Sequence, residues 1–259
     1  MLQNVEPPAM YGLDMQCIYR VPRDIRETNP KAYTPLFVSI GPFNNGKEDN
    51  NFESMEELKL KYLKAFLNRT NLPMGDFVVI LQALEEKIRS CYGEPIKYNS
   101  DYFLKMILVD ACFIIELFLR WHRFKDWQGK DPLLIKPWMN WDTRKDLMLL
   151  ENQLPFFILE ELYSLTGMNR EFPSFLEISF NCLKHVGLGH VTRCPIESPE
   201  HFTDLLRTCI ISSSKFDLRA QEECKDIKHV YSASQLWEAG LKFKVNPNEG
   251  LLNLTYSNE

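Results

Sequence analysis

Two apolar stretches carry acidic residues where a helix must be buried: Asp110-Ala-Cys-Phe-Ile-Ile-Glu-Leu-Phe118 and Asp146-Leu-Met-Leu-Leu-Glu-Asn-Gln-Leu-Pro-Phe-Phe-Ile-Leu159. A helix apolar on most of its sides belongs inside a bundle. A carboxylate in such a place must be paired or hydrogen-bonded, because burying an uncompensated charge is prohibitive. The two segments therefore demand a helical core with an internal polar network. Partners for the acids must come from elsewhere in the chain, and Arg20, Arg23 and Arg26 of the N-terminal segment are the candidates. On a helix, Asp110 and Glu116 point about 120° apart, so they do not form one carboxylate pair unaided.

The rest of the pattern fits a mainly α protein. The expected architecture is an irregular helical bundle with small β elements near the N-terminus and a C-terminal β-hairpin. Cys17 to Pro22 and Leu36 to Pro42 read as short strands, and Asn44-Asn45-Gly46 as a turn. Ser54 with Glu57 forms a capping box for a helix over about 55–68. Periodic apolar positions place further helices over about 76–91 and 101–123. Residues 127–142 read as a Trp- and Pro-containing connection. Thr143 to Gln153 reads as helical, with Pro155 kinking that helix or opening a new one that Gly167 stops. Further helices are expected over 172–185, 199–211 and, capped by Ser232, through Ala239. Leu241 to Val245 and Leu252 to Tyr256 alternate as the two arms of a hairpin. Residues 1–16 read as a flexible arm and 17–259 as a single domain, with 186–231 as a possible sub-boundary.

Composition narrows the function classes. Net charge is -5, and no Lys/Arg block is present, so a nucleic-acid footprint is not expected. The seven cysteines are odd in number and form no C-x-x-C pair, which fits reduced thiols in a cytoplasmic protein. The start, Met1 to Pro8, has neither the basic nor the apolar region of a secretory signal. The longest apolar run, Met106 to Leu119, is too short for a membrane span and holds two acids.

Candidate chemistry is sparse. Glu151-Asn152-Gln153 lies within an apolar run, and a buried carboxylate with a raised pKa suits a general acid or base. The competing reading is a structural network that serves backbone groups freed as the helix breaks at Pro155, and that reading is preferred. The five histidines (His122, His185, His190, His201, His229) match no standard metal spacing. No nucleophile elbow and no phosphate-binding glycine loop occurs. The aromatics of 121–141 read as core beneath a long connection. No catalytic residue, metal or cofactor is assigned.

Several segments together resemble one plant family. They are Ile18-Tyr-Arg-Val-Pro22, Ala32-Tyr-x-Pro-x-x-Val-Ser-Ile-Gly-Pro42, Met55-Glu-x-x-Lys59 with Tyr62-Leu63, the two acidic-apolar runs, Asp131-Pro132 with Pro137-Trp138, and Ser232-Ala-x-x-Leu-x-x-Ala-Gly-x-Lys-Phe243. Their order resembles the plant domain of unknown function 247 family, also termed uncharacterised protein family 0481. The resemblance implies a family-motif core of Tyr19, Pro22, Gly41, Pro42, Phe113, Trp138, Pro155 and Phe156, with Phe157 beside it. The structural polar core would be Asp110, Glu116, Glu151, Asn152 and Arg20. A His-His-Gly usual after the Gly-Pro is replaced here by Asn44-Asn45-Gly46, so any role of that histidine pair is lost. Members are usually longer and end in a membrane helix, so the chain is expected to be a truncated member, with membrane attachment only through a segment it lacks. The family has no established activity, and some grass members are associated with self-incompatibility. The expectation is thus a non-enzymatic component of protein–protein recognition or signalling, with an unknown protein partner and a surface in loops 122–130 and 186–231. The alternatives are a hydrolase or lyase using Glu151 with Asp110 or Glu116, and a non-functional fragment.

Overall fold

The computed structural model describes residues 15–45, 50–184, 191, 193–213 and 231–244. Among them are eleven α-helices: α1 (Arg23–Thr28), α2 (Asn50–Thr70), α3 (Met74–Ser90), α4 (Ser100–His122), α5 (Phe124–Trp127), α6 (Pro132–Ile135), α7 (Pro137–Asp146), α8 (Phe156–Leu165), α9 (Phe175–Leu183), α10 (Phe202–Ser213) and α11 (Ala233–Glu238). None is long and apolar enough to cross a membrane.

Helix α4 is the axis of the core. Asn99 caps it by accepting from the Tyr102 N–H at 2.9 Å, and every residue from Phe103 to Trp121 except Lys105 is buried. Helices α2, α3, α8 and α9 pack around it. Phe118 touches Trp121, Phe175 and Phe202 with ring centroids 5.2–5.9 Å apart, which ties α9 and the start of α10 to the axis. Phe180, Leu205 and Cys209 make a small second cluster between α9 and α10.

The expected β elements are corrected: among the described residues there is no strand, only an isolated parallel bridge between Ile18 and Tyr92. The reason lies in where the extended segments send their amides. Leu36, Phe37 and Val38 donate to the Asp146 carboxylate, at 2.9, 2.7 and 3.0 Å. Ile40 donates to Asn152 at 2.7 Å, and Gly41 to Asp110 at 2.8 Å. Val21 donates to Glu151 at 2.9 Å. Buried backbone groups must be satisfied, and here side chains of α4, of the end of α7 and of the irregular stretch that follows it do what a neighbouring strand would. The hairpin is also corrected. Leu241 to Lys244 is irregular, its first N–H bonding back to Leu236, and the returning arm at 252–256 lies outside the described residues.

Two further expectations change. Residues 127–142 are not a plain connection, because Pro132 and Pro137 each open a helix at its first position. Proline suits that position, where its missing N–H would be unpaired anyway. Helix α7 then ends at Asp146 rather than continuing to Gln153. The Asn152 amide donates to the carbonyls of Val38 and Asp146, and the Gln153 amide to those of Leu147 and Leu149. Side chains that bind nearby backbone groups in this way compete with the helix. A new helix begins after Pro155, and Gly167, in the left-handed region at φ 66°, follows its end. Residues 1–14 of the arm and half of the possible boundary over 186–231 lie outside the described residues.

Candidate functional site

Three buried polar clusters tie other segments to the core, each built on an acid of the two apolar runs. The first is Lys59–Asp110. Both side chains are nearly closed to solvent. Lys59 Nζ bonds Asp110 Oδ1 at 2.7 Å, Glu56 at 2.6 Å, and the Ser39 carbonyl. Its three protons are thereby occupied. Asp110 takes the Gly41 N–H on its other oxygen. Burial works to lower the Lys59 pKa, but Asp110 and Glu56 outweigh it and the amine is held more firmly protonated than usual. Burial also lifts the Asp110 carboxyl, only partly offset by Lys59 and Gly41. Gly41 sits at φ 69°, and a Cβ there would stand 2.6 Å from the Gln153 carbonyl, so glycine is required. An open cleft of about 250 Å³ borders this cluster, walled by Asn45, Glu56, Tyr102, Lys105 and Met106.

The second cluster runs Arg69–Glu116–Arg120–Asp131–Tyr62. Arg69 grips Glu116 with two bonds, at 2.7 and 2.9 Å. Arg120 bridges Glu116 at 2.8 Å and Asp131 at 2.6 Å, its guanidinium lying 4.2 Å from the ring centres of both Tyr62 and Trp127. Asp131 also accepts from the Tyr62 hydroxyl and caps α6 through the Leu133 and Leu134 amides. Burial and the Asp131 charge push the Tyr62 hydroxyl well above its ordinary pKa, so it remains a donor.

The third is centred on 146–153. Glu151 Oε1 accepts from the Val21 N–H and from Arg26, while Oε2 lies 3.5 Å from Arg20. Asp146 pairs with no cation among the described residues, and its three backbone donors hold it in place. Burial nevertheless raises its pKa from the ordinary aspartate value, against the pull of those three bonds. Gln153 receives the Phe202 N–H at 3.0 Å, and its own carbonyl receives the Tyr92 hydroxyl at 3.1 Å.

The structure places Asp110, Glu116, Glu151 and Asn152 in the interior, together with Gly41, Pro42, Phe113, Pro155 and Phe156. Phe157 is half-buried. Four placements are corrected. Arg20 is exposed; its guanidinium spans Glu94 and Glu151 over the face of Phe43, with the charge kept at solvent. Tyr19, Pro22 and Trp138 are exposed rather than core. Tyr19 and Pro22 flank the buried Ile18 and Val21 on a segment that shows only part of itself to the protein, and Trp138 stands on the outer face of α7. Asp110 and Glu116 are served by different bases, in keeping with their angular separation. Sequence reasoning gave no role to Lys59, Arg69, Arg120 and Asp131, although Lys59 and Asp131 stand in the motifs quoted above. Met55, Lys59, Tyr62, Phe66 and Arg69 form one helical stripe in which the two bases stand at apolar positions, and without the facing acids they read as its solvated edge.

His201 gives this region a pH dependence. It is buried, its Nε2 3.0 Å from the Cys17 carbonyl and its Nδ1 accepting the Asp204 N–H at 3.2 Å. That acceptor leaves the proton on Nε2. Burial lowers its pKa below 6.5, against the Cys17 carbonyl and the charges of Asp204 and Glu200. As pH falls through 6.5 the unfolded chain takes up the proton first, so stability present above that value is lost on acidification. Urea titrations are expected to show a decline of at most about 1.4 kcal/mol per pH unit attributable to this group, and His201→Gln should flatten it. An unchanged slope in that variant would refute the assignment.

A family model described as "Plant protein of unknown function", DUF247, matches residues 18–259. Two Arabidopsis thaliana proteins are similar over part of their length. UPF0481 protein At3g47200 is 37% identical over 155 residues, covering 59% of this chain and 32% of the relative. Putative UPF0481 protein At3g02645 is 35% identical over 145 residues, covering 56% of this chain and 26% of the relative. The chain thus spans about a third or less of these curated relatives. No solved structure matches. With the ordered motifs, the buried acids that anchor them and a family model covering nearly the whole sequence, the chain belongs to the DUF247 family of plant proteins of unknown function.

Proposed function

We propose that this chain works by binding another protein and carries out no chemistry of its own. The observation that supports this most is how the buried carboxylates are used. Asp110, Glu116 and Asp131 are held by buried cations, Glu151 by Arg26 and a backbone amide, and Asp146 by three backbone amides. These bonds occupy the groups that a general acid or base would need free. They also join segments far apart in sequence, which is the work of a scaffold.

The surface best suited to a partner lies on α6 and α7. Ile135, Trp138 and Trp141 are 52%, 61% and 44% exposed, and the two indoles, three residues apart, share one helix face. Exposed tryptophans are common anchors of protein interfaces. Lys136 and Lys145 stand among them, and Lys125 and Lys130 are exposed on the preceding turn. In a chain of net charge -5, this local basic character favours a partner that presents an acidic segment with an apolar side chain.

The test is affinity capture from plant extract on the full chain, quantified by mass spectrometry and repeated with each captured protein purified. The double variant Trp138→Ala/Trp141→Ala is expected to keep the wild-type circular dichroism and melting temperature and to lose at least about tenfold in affinity for a true partner. Lys136→Glu/Lys145→Glu should weaken the same interaction and abolish its salt dependence. If every protein captured binds wild type and both variants equally, the reading fails.

A further inference from the structure

We propose that Cys17 and Cys91 form an oxidisable dithiol whose closure to a disulfide staples the N-terminal segment to the end of α3. The backbone already joins the two positions. The N–H groups of Cys17 and Ile18 both donate to the Cys91 carbonyl at 2.9 Å, and Gly93 donates to the Ile18 carbonyl at 2.9 Å. Contact of this kind brings the α-carbons within the span that a disulfide bridges. The two thiols are close enough that each shifts the other's pKa. Cys17 is half-buried on the wall of an open cleft of about 430 Å³, beside Tyr19, Leu150, Glu200, His201 and Arg207, with Cys91 buried behind it. A small oxidant entering that cleft meets Cys17.

The surroundings divide the proton unequally. The bond to Cys91, with burial and the Glu200 charge, holds Cys17 strongly protonated. The same bond lowers the pKa of Cys91, aided by the Lys87 charge against burial and Glu200. The pair therefore sets two neighbouring thiols of unequal acidity side by side, with Cys91, whose Sγ donates to the Lys87 carbonyl at 3.3 Å, the more acidic. The other described thiols differ. Burial pushes Cys182 up to about 12, and Cys209, beside Cys194, also up to about 12. Cys112 is raised further still inside α4.

Hydrogen peroxide is the oxidant class considered. The thiolate attacks one peroxide oxygen, the O–O bond breaks and hydroxide leaves, giving a sulfenic acid. The second sulfur displaces the sulfenic oxygen as hydroxide while the S–S bond forms and its proton is released. Two thiols and one peroxide yield one disulfide and two waters. The bond would close a long loop, from residue 17 to residue 91, and fix the segment that carries Ile18 into the core and Val21 to Glu151.

The full chain is treated with stoichiometric hydrogen peroxide, its remaining thiols are alkylated, and it is digested without reduction. Mass spectrometry is expected to find the Cys17 and Cys91 peptides linked, and dithiothreitol to separate them, while Cys112 and Cys182 remain alkylated. The melting temperature should rise by roughly 5–10 °C on oxidation and return on reduction. In Cys17→Ser and Cys91→Ser that rise should be absent. The linked-peptide readout is made on the wild-type chain, so it stands even if Cys91→Ser fails to fold. Absence of the linked peptide at full peroxide consumption, or linkage of either cysteine to a different one, overturns the proposal. So does a melting-temperature rise that persists in Cys17→Ser.

Discussion

Lys59→Ala is expected to destabilise the fold by about 3–5 kcal/mol, enough to approach the whole stability of a typical domain. The substitution removes the ammonium from Asp110, which would keep only the Gly41 N–H while remaining closed to solvent. It also frees the Ser39 carbonyl and Glu56. The penalty comes from the charge left behind, not from the worth of the pair. Lys59→Met combined with Asp110→Leu removes both ions together and should recover most of the loss, because burying an ion pair brings little net gain over a well-packed apolar pair. The protonation argument adds a second signature. In Lys59→Ala the folded pKa of Asp110, already raised by burial, rises further. The folded state then binds a proton that the unfolded state does not, so the variant should be least stable near neutrality and regain stability as pH falls toward that raised value. Urea denaturation of the single and double variants at several pH values measures all of this. A Lys59→Ala cost below about 1 kcal/mol would show that water reaches Asp110 and that the cluster is not sealed.

The same cluster shows how far the sequence could be read. The identity of the buried acids was legible, because Asp110 and Glu116 stand in a run with no polar face and Glu151 in a second one. The main helices were legible from periodicity, and the later stops from Gly167 and Gly240, both at positive φ. The partners were not. Lys59 and Arg69 sit at apolar positions of an otherwise amphipathic helix, where a lysine or arginine is ordinarily read as a solvated edge of the stripe. Only the opposing carboxylate on α4 gives them a reason to be inside. The false strands have a related cause. Val38, Ser39 and Ile40 alternate and carry β-branched residues, so their local preference for extended backbone is correct. What periodicity cannot disclose is the hydrogen-bond partner of an extended segment, and here Asp146, Asn152 and Asp110 take the place of a neighbouring strand. Trp138 was misread for a different reason: a tryptophan beside proline suits a core lid and an exposed anchor equally, and the difference depends on which face of α7 meets the bundle.

Arg120→Met should be the most damaging single change in the second cluster, at about 3–5 kcal/mol. The substitution keeps most of the apolar volume between Tyr62 and Trp127, so the loss reports on charge more than on packing. Arg120 is the bridge between two acids that are themselves wholly buried, Glu116 and Asp131. Without it Glu116 retains Arg69, whereas Asp131 retains only neutral donors: the Tyr62 hydroxyl and the amides of Leu133 and Leu134. The stranded charge is therefore on Asp131, and adding Asp131→Asn should restore part of the stability while Glu116→Gln should not. Arg120→Lys is expected to behave nearly as badly as Arg120→Met, since an ammonium cannot present two separate N–H directions to two carboxylates and lacks the planar face that stacks on the rings. Arg69→Met makes the comparison informative. Its guanidinium is about a quarter exposed and binds one acid, Glu116, which keeps Arg120, so its loss should cost less than half as much. If Arg69→Met and Arg120→Met prove equal, the second ion pair that Arg120 makes and its bridging geometry contribute nothing, and the interior acids would have to be explained by something other than the joining of α2, α4 and α6.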